Sequence, residues 1–139
     1  MTGDEASARL VTLVVDVANV MGSRPDGWWK DRAGAATRLL AGLPVLAGRA
    51  VDGPDGDSLL IERIIAVVEG AAKDATDPDG IDVVRAPRDG DSAIVEAALG
   101  ADVAGARVLV VTADRGLRAR LADGVLVTGP GWLNSLLGR

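Results

Sequence analysis

Three aspartates, Asp16, Asp91 and Asp114, stand where apolar runs give way to polar turns, and Asn19 follows the first of them three positions on. Carboxylates gathered in one place repel one another and are partly desolvated, so they are tolerated only when protonated or neutralised by a cation. A divalent ion answers that need. Mg²⁺ or Mn²⁺ held by a few Asp oxygens and several waters can position a phosphodiester, lower the pKa of a bound water and offset charge on a leaving oxygen. Asn19, Ser92 and Thr112 flank the acids and can hydrogen-bond a substrate or orient a carboxylate without adding charge.

Absences narrow the chemistry further. The chain has no Cys and no His, which excludes disulfides, thiolate or imidazole metal sites and every His-dependent nucleophile triad. No GxxxxGK[ST] occurs and the only lysines are Lys30 and Lys73, so a P-loop is excluded too. An enzyme made from this chain works with carboxylates. Sixteen of its 20 acids are Asp, a side chain suited to hard cations and equally to helix caps and turns. The net charge of −5 argues against a protein that coats nucleic acid through general phosphate neutralisation, yet leaves room for local basic patches. Thirteen of the 15 cations are Arg, the better shape for bidentate phosphate contact, although a GC-rich genome produces the same bias.

Positioning these residues falls to a chain of 139 residues, suited to a single domain over 1–139 with residues 1–9 as a flexible extension. With 48% hydrophobic but 2% aromatic residues, the core must be Val, Leu, Ile and Ala. No apolar run approaches the roughly 20 residues of a membrane span, and the opening MTGDEASARL carries acids where a signal peptide carries basic residues. A cytoplasmic location without membrane contact is expected.

Leu10 to Val15 is short, Val-rich and apolar on both faces, which predicts a central parallel strand. After a turn at Ser23 to Gly27, Asp31 caps a helix with Ala33, Ala36, Leu40 and Leu43 on one stripe. Pro44 breaks it or starts a short second piece reaching about Val51, and Asp52 to Asp57 reads as solvated loop. Ile61 to Val68 is a second buried strand, Ala71 to Gly80 a loop, and Ile81 to Arg85 a third strand. Asp89 to Asp91 open a helix that ends before Gly100; Arg107 to Thr112 is a further central strand. Asp114 caps a helix with Leu117 and Leu121, Gly124 to Thr128 is the last strand, and Gly129 to Gly131 introduce a terminal helix.

Alternating strands and helices over this length predict an α/β fold, three-layer α/β/α with a mainly parallel central sheet. Right-handed crossovers then put all strand carboxyl ends along one edge. Asp16, Asp91 and Asp114 fall at that edge and can converge. Helix capping alone accounts for Asp91 or Asp114 taken singly, since each precedes a helix. Asp16 is harder to explain so, because no helix-periodic segment begins at once behind it.

VVDVANVMGSRPDGWW resembles the opening motif of the NYN branch of the PIN-like nucleases, in particular the bacterial YacP-like group, in which a strand-ending Asp is followed three positions on by Asn. DGDSAI, Asp89 to Ile94, resembles the second acidic motif of that family, and VVTADRGLRARL, Val110 to Leu121, the third. The three occur in the family's order between about Leu10 and Leu137. Val17 stands where members usually have a small residue. The resemblance implies a PIN-like fold and a Mg²⁺- or Mn²⁺-dependent endoribonuclease with Asp16, Asp91 and Asp114 as metal-binding acids and Asn19 in support. It implies hydrolysis by an activated water, on RNA that is ribosome-associated for some relatives. Asp31 and Asp89 are the weak candidates for a further acid.

Arg24, Lys30, Arg32, Arg88, Arg115 and Arg118 lie near the expected edge in the linear reading, with Arg24, Ser92, Thr112 and Arg115 the expected substrate contacts. Arg115 and Arg118 are read equally well as one solvated helix face. Trp28 and Trp29 can stack on bases of single-stranded RNA or plug the core. Two other functions use the same acids: a Mg²⁺-dependent hydrolase of free nucleotides, which needs a closed base pocket, and a catalytically weak RNA-binding adaptor. A receiver-like signalling domain lacks its lysine after the last strand.

Overall fold

The computed structural model describes residues 8–139. Most of the expected N-terminal extension lies outside the described residues, and Arg9 already belongs to the first strand. Six strands form one mixed sheet: β1 (Arg9–Asp16), β2 (Ala50–Asp52), β3 (Ser58–Val68), β4 (Asp82–Arg85), β5 (Val108–Val111) and β6 (Leu126–Thr128). β1 is central, paired in parallel with β3 on one side and β5 on the other, and β6 continues in parallel beyond β5. Two short strands share the far side of β3, β2 antiparallel along its first residues and β4 parallel along its last. Helices α1 (Val17–Gly22), α2 (Arg32–Gly42), α3 (Gly90–Val103), α4 (Arg115–Ala119) and α5 (Pro130–Leu137) complete the α/β/α sandwich. Among the described residues no helix is long and apolar enough to cross a membrane.

The two-residue period of a strand sorts its side chains onto opposite faces. In β1, Val11, Leu13 and Val15 join the apolar cluster with Val20 of α1, Leu39 and Leu40 of α2 and Leu133 of α5. Val14 joins the second cluster, with Ala93, Ile94 and Ala98 of α3 and Leu117 of α4. β3 changes phase partway: Ile61 and Ile64, three apart, both face the first cluster, because the β1–β3 pairing slips between Val11 and Thr12 so that Glu62 is bulged out. The bulge lets one long strand serve both ends of the sheet and sets Val67 level with Asp16.

Several elements differ from the sequence expectation for identifiable reasons. Val17–Gly22 is a six-residue helix directly behind Asp16, too short for a periodic signal, and its Val17 is fully buried in the first cluster. After a 3₁₀ turn at Pro44–Leu46 the chain enters β2 instead of extending a helix to Val51. The hairpin of β2 and β3 is fastened to α5 by the Trp132 indole N–H, which donates to the Asp52 carbonyl at 2.9 Å. The third helix runs through Gly100 to Val103, since nothing after Gly100 offers a better use for its carbonyls until Gly105 turns left-handed at φ 92°. The loop expected at 71–80 begins with a 3₁₀ turn, Gly70–Asp74.

That turn is held by Arg85 at the end of β4. Its guanidinium donates to the carbonyls of Lys73 and Ala75, both at 2.8 Å, and forks onto Asp77 at 2.6 and 3.0 Å. The bonded guanidinium holds the Asp77 carboxyl below its ordinary range. An ammonium cannot reproduce four bonds in fixed directions. Arg85→Lys is therefore expected to speed amide hydrogen exchange across residues 73–80 while leaving β1 and β5 as protected as before; unchanged exchange in that segment would show that the fork does not order it.

Candidate active site

Because β1, β3 and β5 are parallel neighbours, their carboxyl ends lie along one edge of the sheet. Asp16 ends β1, Glu69 directly follows β3, Thr112 directly follows β5, and α3 opens at the same edge with Asp91 in its first turn. Strand alternation puts the side chain of Asp16 on the face of Val14, the face covered by α3 and α4. Asp91 and Asp114 lie on that side too.

Asp16 is only 7% exposed. Its Oδ2 accepts a hydrogen bond from the Thr112 hydroxyl at 2.8 Å and its Oδ1 accepts from the Asn19 backbone N–H at 3.3 Å. Asp16 therefore caps α1, contrary to the sequence expectation that no helix begins there. Thr112 is fully buried and also accepts from the Asp114 N–H at 3.1 Å. It positions two acids from inside the protein and is shut off from a substrate. The Asn19 side-chain oxygen accepts from the Ala113 N–H at 2.8 Å, which stitches α1 to the loop after β5. The Asn19 amide NH₂ has no partner among the described residues and borders an open cleft with Ala113, Pro130 and Asn134.

At the start of α3 the cap is Asp89: its Oδ1 accepts from the Ser92 N–H at 2.8 Å. Asp91 sits inside the first turn and has no hydrogen bond among the described residues, so capping does not account for it. Ser92 is engaged within the protein, its hydroxyl pairing with Asp89 and accepting from Arg120, each at 3.3 Å. Asp114 caps α4 through Oδ1, which accepts from the Leu117 N–H at 3.0 Å.

Sequence reasoning missed Glu69. Its Oε2 accepts from the Gly90 N–H at 2.5 Å, and a Cβ at residue 90 would lie 2.5 Å from the same oxygen, so a larger residue there would push the Glu69 carboxylate aside. Gly70, at φ 56°, turns the chain off the strand end immediately after Glu69. The available signal was an acid directly behind the apolar run IIAVV, the pattern that marked Asp16. Of the two weaker candidates, Asp31 caps α2 and Asp89 caps α3.

The acids affect one another. Burial first, and then the charges of Asp91 and Glu69, push the Asp16 carboxyl above its ordinary value against the opposing bonds from Thr112 and Asn19. Burial first, then Asp114, Glu69 and Asp89, push Asp91 up as well. The ion pairs of the described residues are Arg63–Asp82, Arg85–Asp77 and Arg139–Asp26, and none of them neutralises this group. Among the described residues no three acids are close enough to form a ready-made metal cage. The donor set nevertheless fits Mg²⁺ or Mn²⁺, hard ions that keep several waters and take one or two protein carboxylates plus substrate oxygens. Asp16, Asp91, Glu69 and Asp114 supply oxygens of that kind.

A carboxyl whose pKa is raised by folding binds more protons folded than unfolded, so its contribution to stability falls as pH rises from the ordinary carboxylate value through the raised value. Comparing wild type with Asp91→Asn in the presence of a chelator isolates that effect: the variant is expected to be more stable at pH 7–8, with the difference vanishing towards about pH 4. A difference in Tm that stays constant with pH would contradict it.

The expected basic contacts scatter. Arg115 is exposed beside Asp114, whereas Arg24 lies near Arg139 and Asp26, past the far end of α1. Arg118 donates to the Thr112 carbonyl at 2.8 and 3.2 Å and so braces the loop after β5. Arg88, exposed, lines a cavity with Glu69.

No family model matches the chain, and no curated protein matches it in sequence. Among solved structures it is similar to the crystal structure of a mutant of Rae1 (YacP) from Bacillus subtilis, with a TM-score of 0.67 and 18% identity over 91% of this chain and 74% of that one. The likeness shows the fold alone: an α/β/α sandwich like that of Rae1 (YacP).

Proposed function

We propose that this chain is a metal-dependent endoribonuclease of the NYN type within the PIN-like nucleases, hydrolysing RNA phosphodiester bonds at the edge that carries Asp16, Glu69, Asp91 and Asp114. The reading is carried by one observation: four carboxylates, two with raised pKa values, lie along one strand edge and none of them is in an ion pair among the described residues, Arg120 acting on Asp91 only from a distance. A protein keeps such a group for a ligand that neutralises it. The YacP-like fold and the three ordered motifs around Asp16, Asp91 and Asp114 support the same reading.

In this reading Mg²⁺ or Mn²⁺, when bound, supplies Lewis acidity at the phosphate and lowers the pKa of a water. The residues of the chain do the rest. Thr112 and the Asn19 N–H fix both oxygens of Asp16. Glu69 and Gly90 lock the start of α3, and so Asp91, against the end of β3. The Asn19 NH₂ and the exposed Arg115 guanidinium are donors for phosphate oxygens in a site otherwise negative. A ribosome-associated substrate is part of the proposal through the family resemblance alone.

Purified protein incubated with single-stranded and structured RNA is expected to produce internal cuts with Mg²⁺ or Mn²⁺ and none with EDTA. Binding without cutting would support an adaptor instead, and consumption of nucleoside triphosphates alone a nucleotide hydrolase.

A further inference from the structure

Beside the acids, between α1 and the Gly70–Asp74 turn, lies a cavity of about 390 Å³ whose walls include Ala18, Trp28, Arg32, Glu69, Gly70 and Arg88. That volume is within the range of small-ligand pockets, roughly 300–1,000 Å³. Glu69 belongs to both the cavity and the acid cluster, so whatever fills the first abuts the second.

The wall is preorganised. Trp28 is half-buried against the first apolar cluster, and its ring is held edge-to-face by Trp29 at 5.9 Å and 88°. The Arg32 guanidinium carbon stands 5.3 Å from the Trp28 ring centre. Arg32 and Arg88 are exposed and in no ion pair among the described residues. An indole, a stacked guanidinium and a second free guanidinium form a surface for a flat heteroaromatic ring joined to phosphate. On a chain of net charge −5, this is also where a polyanion finds cations next to the carboxylates it must approach.

Resting on the ribonuclease reading, we infer that this cavity is a base subsite: it receives one unpaired nucleotide neighbouring the scissile phosphate, its base on Trp28 and Arg32 and its phosphate at Arg88. A paired base has both faces stacked inside the duplex and its edge bonded to a partner, and cannot reach a recessed wall without leaving the helix. An unpaired nucleotide can turn its base against Trp28 and Arg32 while its phosphate meets Arg88.

The test uses three forms of one labelled RNA: single-stranded, fully paired with its complement, and paired except for one bulged nucleotide. Single-stranded and bulged forms are expected to be cut and the full duplex resisted. Trp28→Leu is expected to raise KM roughly ten- to hundred-fold with a smaller change in kcat, as loss of one stacked base implies; Trp28→Phe retains most of the affinity. Arg88→Ala, an exposed change that leaves the core intact, is expected to weaken binding and reduce the salt dependence by about one phosphate contact. Affinity measured in EDTA gives the same comparison without cleavage. Equal cutting of duplex and single strand, or wild-type KM and affinity in both Trp28→Leu and Arg88→Ala, would overturn the subsite. Wild-type protein that cuts no RNA overturns the ribonuclease reading instead; single-strand binding in EDTA that depends on Trp28 and Arg88 then still upholds the subsite, and its absence ends it.

Discussion

Asp16→Asn is expected to lower metal-dependent RNA cleavage by a factor on the order of 100 or more while leaving the protein as stable as wild type at neutral pH, or more so. Asparagine keeps the size of the side chain, still accepts the Asn19 N–H as a helix cap, and can still meet the Thr112 hydroxyl. What it loses is charge. In the folded protein that charge is disfavoured, first by burial and then by Asp91 and Glu69, so removing it relieves a cost. In the proposed catalysis the same charge would draw a divalent ion, whose stabilisation of developing negative charge is worth several kcal/mol, each ~1.4 kcal/mol being tenfold in rate. The two effects have opposite signs, and together they separate a functional acid from a capping one. Thermal denaturation in EDTA and single-turnover cleavage in Mg²⁺, on the same preparations, measure them. A variant that cuts like wild type but melts well below it would show that Asp16 is a cap and nothing more.

Leu13→Ala is expected to give the largest loss of stability, about 3–5 kcal/mol, seen as a fall in Tm on the order of 10 °C. Leu13 is fully buried in the central strand and packs towards α1, α2 and α5 at once. β1 is bonded on both sides, to β3 and to β5, so it cannot shift to fill the void. Leu99→Ala on α3 is the control: Leu99 is 52% exposed, and its truncation is expected to change stability by less than about 0.5 kcal/mol. Similar losses for the two variants would contradict this account of the core. Because Asp16 lies three residues along the same strand, Leu13→Ala is also expected to reduce cleavage, whereas Leu99→Ala is not.

The central strands were legible in sequence because burial on both faces writes an unbroken apolar run, as in LVTLVV and RVLVVT. The capped helices were legible at Asp31 and Asp114, where one side chain announces the start. Short elements were not: six residues of α1 and three of β2 carry too little periodicity to be told from a turn. The start of α3 was legible too, at Asp89 to Asp91, but only the built turn shows that Asp89 is the cap while Asp91 lies inside the helix.

Residue types and local periods alone carry the inventory and the address: no Cys, no His, no P-loop, and acids at the carboxyl ends of parallel strands. Both act over a few neighbours. Tertiary contacts set which acids share that edge and what surrounds them. Asp16 is bonded to Thr112, 96 positions away, Glu69 enters through Gly90, and Trp28, Arg32 and Arg88 share one wall. No local rule selects such partners, because long-range pairing is set by strand order, by the bulge at Glu62 and by the close approach of Glu69 to Gly90.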